Sequence, residues 1–91
     1  MTEDFLMPTV DVTYGQLDKV LRSFGFTRHE FERNGKGVRY EHKQTGARIT
    51  LPLFPKGDYV LIHHMVMVRG TLDNFGVAEP LVFEAKLKKV G

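Results

Sequence analysis

Four histidines and a scattered set of bases are the residues of this 91-residue chain with types suited to chemistry. Histidine exchanges a proton near neutral pH, so it serves as a general acid or base, or as a metal ligand. His42 and His64 are the two candidates for acid–base work, although no partner group can be assigned to either from spacing. His29, His42 and His64 are a chemically allowed metal trio, but they match no ligand-spacing motif, and no cofactor is expected. The bases point elsewhere. Lys19 and Arg22 follow Gln16 at helical spacing, Arg33 and Lys36 flank an Asn-Gly pair, and Lys56 precedes His63 and His64. Phosphate oxygens need only such donors, although each of these bases singly reads as an ordinary surface residue.

The charge is unevenly distributed. The net charge is +2, but residues 26–53 carry six bases and three acids, whereas residues 1–25 carry two bases and four acids. A local excess of three positive charges is a weak attraction for an anion, and an ordinary solvated surface can carry as much. The chain has no cysteine, which removes disulfides, thiolate metal sites and a cysteine nucleophile and suits a reducing cytoplasm. No apolar run is long enough to span a membrane. Glu3 and Asp4 stand where a secretory leader would be basic. Ninety-one residues are expected to form one domain over residues 1–91.

The elements that must position these residues are legible from periodicity. Residues 26–33, 38–43 and 47–53 read as three consecutive antiparallel strands, joined at Asn34-Gly35-Lys36-Gly37 and Gln44-Thr45-Gly46. Alternation puts Val38, Tyr40 and His42 on one face with Ala47, Ile49, Leu51 and Leu53. A four-residue first loop pairs Arg33 with Val38, and a two-residue loop shifts the pairing by two. Both place Thr27, His29, Phe31 and Arg33 on that same apolar face. The opposite face then carries Arg28, Arg39 and Arg48 interleaved with Glu30, Glu32 and Glu41. That mixture weakens its pull on an anion and leaves the hairpin tip, with the segment around Lys56, His63 and His64, as the expected contact.

Helices are expected on both sides of the sheet in sequence. Thr13 and Gln16 form a capping-box pattern, and Leu17, Val20, Leu21 and Phe24 follow as an apolar stripe up to Gly25, giving a helix over 14–24. Leu61, Met65, Val68, Leu72 and Phe75 predict a second helix beginning near Asp58, with Gly70 as a cost inside it. The alternative makes Tyr59 to Ile62 a fourth strand, with the helix starting near His63. Pro80 opens a last helix to Lys89, burying Leu81 or Val82 with Phe83 and Leu87. Residues 1–9 are expected to be a loose lead-in. The expected class is α+β in the order α-β-β-β-α-α, with a three-stranded antiparallel sheet and helices packed on one face. The core is expected to comprise Phe24, Phe31, Tyr40, Ile49, Leu51, Val68 and Leu72.

This order, together with Ser23-Phe24-Gly25-Phe26, Gly35-Lys36-Gly37-Val38-Arg39-Tyr40-Glu41-His42, Thr45-Gly46, Leu51-Pro52, Arg69-Gly70-Thr71-Leu72 and Phe75-Gly76, resembles the HicA-type toxin family over residues 13–77. The resemblance implies a double-stranded-RNA-binding-like fold, RNA as substrate, and an antitoxin as protein partner. Such a fold reads RNA shape with its first helix, first hairpin loop and the start of its second helix, which makes Arg33, Lys36, Lys19, Arg22 and Lys56 the candidate nucleic-acid-binding residues. It also implies an mRNA-cleaving histidine in a Gly-Ser-His motif entering the second strand. The aligned residue here is Gly37, and a second family histidine aligns with Phe54, so neither position can transfer a proton. The reading that follows is a HicA-like RNA-binding module without the family's catalytic histidine. One alternative is a protein-interaction domain for an antitoxin-like partner or a second copy. Another is a ribonuclease that uses His42 or His64 instead.

Overall fold

The computed structural model describes residues 9–90. The expected lead-in at residues 1–8 lies outside the described residues. Thr9, by contrast, is already structured: β1 (Thr9–Thr13) precedes α1 (Tyr14–Ser23). Then come β2 (Thr27–Glu32), β3 (Lys36–His42), β4 (Ala47–Pro52), β5 (Tyr59–Leu61), α2 (Ile62–Asn74) and α3 (Pro80–Val90). The protein is α+β, with β2-β3-β4 forming an antiparallel sheet and β1-β5 a separate antiparallel pair. Among the described residues, no helix is long and apolar enough to cross a membrane.

Local chemistry fixes the first helix. The Gln16 N–H donates to the Thr13 hydroxyl at 3.2 Å, and the Thr13 N–H donates to the Gln16 side-chain oxygen at 2.8 Å, so two end groups of the helix satisfy each other. At the other end Phe26 N–H reaches the Leu21 carbonyl and Gly25 N–H the Arg22 carbonyl, a Schellman closure. Between these ends Leu17, Val20 and Leu21 are buried.

The second helix starts later than its apolar spacing implies. Tyr59–Leu61 pairs with β1, so the fourth-strand alternative is the correct one and the helix begins at Ile62. The short strand is captured by a segment preceding α1, a long-range pairing that the local pattern does not reveal. Val60 is fully buried within it. Met65, Val68 and Leu72 are buried as the stripe requires, whereas Phe75 is 47% exposed. In α3, Phe83 and Leu87 are buried, but Leu81 and Val82 are not, contrary to expectation. Phe83 belongs to the same apolar cluster as Ile49 and Leu17, so this helix completes the central core.

The sheet corrects one expectation with consequences for function. The first hairpin loop is Arg33-Asn34-Gly35, three residues long, neither two nor four. Asn34 takes φ 59° and Gly35 φ 110°, the left-handed backbone that a tight three-residue reversal needs. The register is therefore Arg28↔Tyr40, His29↔Arg39 and Phe31↔Gly37. An odd loop length moves every β2 side chain to the face opposite the expected one. Thr27, His29 and Phe31 lie on the outer face, while Arg28, Glu30 and Glu32 share the side of Val38 and Tyr40. The assignments of β3 and β4 hold: Val38, Tyr40, His42, Ala47, Ile49 and Leu51 are all buried. Leu53, beyond the end of β4, is 38% exposed. Of the expected core, Phe31 is thus on the wrong face, and Phe24 is only partly buried against the cluster.

Candidate functional site

Two sets of side chains follow from that register. The first is the outer face of the sheet. His29 and Arg39 are cross-strand partners there, Arg39 pairs with Thr50, and Glu41 pairs with Arg48. Among the described residues Glu41 is the acid of this face and is shared: Arg39 Nε lies 3.3 Å from its carboxylate, Arg48 Nε 3.8 Å and His29 Nε2 3.7 Å. One carboxylate cannot neutralise two guanidinium groups, so the face keeps a positive excess. Both arginines remain solvent-accessible, which keeps their mutual repulsion screened.

At the hairpin end of the same face, Phe31, Arg33, Arg39 and Thr50 line an open concavity of about 450 Å³. The Phe31 ring leans across the ladder onto Gly37, which has no side chain to oppose it. A glycine inside a strand often marks such a close approach. The two glycines flanking Lys36 were the only sequence signal for it, and they read equally as loop residues.

The second set lies on the helix side. The Tyr40 hydroxyl donates to Asp18 at 2.6 Å, and Asp18 also holds Arg22 at 3.1 Å and Arg28 at 3.4 Å. Arg28 bonds Glu30 at 2.6 Å as well. Burial, and then the bond to Asp18, pushes the Tyr40 phenol up to about 12, so it stays protonated and acts as a donor. The cleft lined by Asp18, Arg28, Tyr40 and Lys56 holds only about 30 Å³, room for a water but not for a substrate. Arg28, expected on the open face, is thereby removed from it. Arg22 is half engaged by Asp18 on its own helix.

The histidines separate rather than converge. His42 is buried, with Nε2 3.0 Å from the Phe24 carbonyl and Nδ1 2.9 Å from the Thr45 hydroxyl. A proton on Nε2 and a hydroxyl donor at Nδ1 satisfy both atoms, and the ring staples α1's end to the second turn. His64 is also buried, and its Nδ1 lies 2.8 Å from the Tyr14 hydroxyl. That hydroxyl accepts the Leu61 N–H at 3.2 Å, so its own proton is directed to His64. Phe54 stacks on Tyr14 with ring centres 4.5 Å apart, covering the bond. Burial first, and then neighbouring His63, holds the His64 imidazole below its ordinary range. His29 faces Arg39 on the outer side of the sheet rather than His42, so the three cannot share a metal. Among the described residues no cluster of three or more histidines and carboxylates is placed to hold one.

The expected nucleic-acid set is likewise divided. Arg33 joins Arg39 on the outer face. Lys36 lies beside Glu30 and Glu32 at the hairpin end of the central strand β3. Lys56 packs against the first turn of α1, where its carbonyl accepts the Gly15 N–H at 2.9 Å. Lys19 is exposed on α1. Sequence reasoning missed Arg39 and Arg48 as a usable pair because Glu30 and Glu32 were expected between them; those acids belong to the other side of β2. Comparison of the chain with protein-family models, with curated proteins and with solved structures gives no match.

Proposed function

We propose that the chain is a HicA-like domain of toxin–antitoxin descent that works as an RNA-binding module rather than through the family's histidine. The order α1-β2-β3-β4-α2 agrees with the double-stranded-RNA-binding-like fold, to which β1, β5 and α3 are additions. The carrying observation is the outer sheet face, where Arg33, Arg39 and Arg48 share a surface with Glu41 as its acid. Such a face attracts phosphate without sequence preference. Gly37, at the aligned histidine position, lies under the Phe31 ring, and both ring nitrogens of His42 are used in holding the fold. These features support binding without cleavage.

The test is an RNA titration at several salt concentrations. Arg39→Ala with Arg48→Ala should weaken binding and flatten the salt slope by about 1.4 for single strands, two phosphate contacts at about 0.7 each. The expected-tip pair Arg33→Ala with Lys36→Ala should do less, because Lys36 lies by two glutamates. An unchanged slope in the first variant would refute the outer face as the site. RNA cleavage abolished by His64→Ala would instead favour the relocated-histidine ribonuclease. A second reading, binding of an antitoxin-like partner or a second copy, is favoured by the two outer strands β2 and β4, whose outer edges pair with no further strand among the described residues and suit strand addition.

A further inference from the structure

Resting on the RNA-binding reading, we infer that the outer face takes a single-stranded segment, with one base stacked on Phe31 and its flanking phosphates on Arg33 and Arg39. The proposal joins an aromatic ring to a cationic rim. Phe31 is partly exposed on a face made otherwise of charged and hydroxyl side chains, with Gly37 and then Pro52 next to it across the ladder. It is the aromatic residue of that concavity, with Arg33 and Arg39 beside it and Thr50 offering a hydroxyl. Single-strand binders combine these two features: a positive groove that follows the backbone, and an aromatic face on which an unpaired base lies. Base stacking tolerates any sequence, which suits a site with few groups able to read base edges.

Strandedness follows from the geometry. In a duplex the interior base faces are already stacked on one another and are closed to Phe31. Duplex phosphates still reach Arg39 on the central strand and Arg48 on β4. The ring is therefore expected to matter for single strands and not for duplexes, while the arginines matter for both. Charge complementarity selects this occupant over a protein. Among the described residues the outer face holds three arginines to one glutamate, and the apolar area it offers is one ring beside Pro52, less than a protein hot spot usually requires.

The chain contains no tryptophan, so Phe31→Trp introduces a unique fluorescent reporter. An eight-nucleotide oligouridine should quench its emission, whereas a self-complementary duplex RNA of equal length should bind without quenching. In the otherwise unaltered protein, Phe31→Ala should weaken oligouridine binding about 5- to 100-fold and leave duplex binding unchanged. Because the ring also covers Gly37, Phe31→Leu is the companion variant. It keeps an apolar cover but offers no ring face, and it should lose oligouridine binding like Phe31→Ala while melting near the parent temperature. Oligouridine binding that survives both variants, with no quenching in Phe31→Trp, would overturn the stacking inference and leave RNA binding in place. Failure of the unaltered protein to bind either RNA at low salt would remove the underlying reading as well. A dimer that dissociates on Phe31→Ala would assign the face to a second copy and overturn the inference.

Discussion

Gly37→Ala should destabilise the protein, and the loss should reverse sign once Phe31 is removed. A Cβ built on Gly37 meets Phe31 Cε1 at 2.8 Å and Cε2 at 2.9 Å, with Cζ nearer still. Atoms at that separation must move. Gly37 does not have positive φ, so alanine fits the backbone and should by itself stabilise by about 0.4–1 kcal/mol through a stiffer unfolded chain. Against this stands the cost of forcing a ring off its seat, about 1–3 kcal/mol for an overpacked site. Phe31 is at the surface and can swing outward, which favours the lower half of that range. The net expectation is a loss of about 0.8 kcal/mol, the midpoint of the lower half of that range less the midpoint of the gain. In a Phe31→Ala background the collision is absent, and Gly37→Ala should gain up to about 1 kcal/mol. Urea denaturation of the four proteins in the cycle measures both differences and their coupling. Equal effects of Gly37→Ala in the two backgrounds, within about 0.3 kcal/mol, would refute the Phe31↔Gly37 register. With it would go the assignment of Phe31, His29 and Thr27 to the outer face.

Three further outcomes test the core and the polar contacts. Leu51→Ala, at a side chain only 3% exposed, should cost about 2–5 kcal/mol in the same denaturation assay; a loss under about 0.5 kcal/mol would be a surface-scale effect and would contradict its placement. Tyr14→Phe leaves the Leu61 N–H and His64 Nδ1 without their shared partner, so a loss of about 1–3 kcal/mol is expected, with the melting temperature as the readout. The His64 imidazole is held below its ordinary 6.5 in the folded state, so the unfolded chain takes up this proton first as pH falls. The stability tied to neutral His64 is therefore complete above about pH 6.5 and is lost as pH drops through the lower folded value. Melting temperature should fall more steeply between about pH 7.5 and 5 in the parent than in His64→Gln, and parallel curves would refute a buried neutral imidazole.

Much of the architecture is written in local sequence. The capping pair Thr13 and Gln16 and the Leu17, Val20, Leu21 stripe specify α1, because each contact spans only a few residues. The alternation in β3 and β4 is equally decisive, since Val38, Tyr40, Ile49 and Leu51 are apolar where their neighbours are charged. The first strand has no such contrast. In residues 27–32 each face carries polar groups, with one aromatic, so either facing is compatible with the pattern.

What chose between them was tertiary. The three-residue loop with Asn34 and Gly35 in left-handed backbone sets the parity of the hairpin. Asp18 on α1 then receives Arg28 and the Tyr40 hydroxyl from two adjacent strands. That arrangement withdraws Arg28, Glu30 and Glu32 from the outer face and leaves Arg39 and Arg48 around Glu41. The pairing of β1 with β5 is another such decision, because Thr9 and Leu61 are far apart in the chain and meet only when the fold closes. Side-chain identity is local, but which face a residue occupies depends on loop length and on partners tens of residues away. The candidate site depends on facing, so it became legible only when those distant partners were in place.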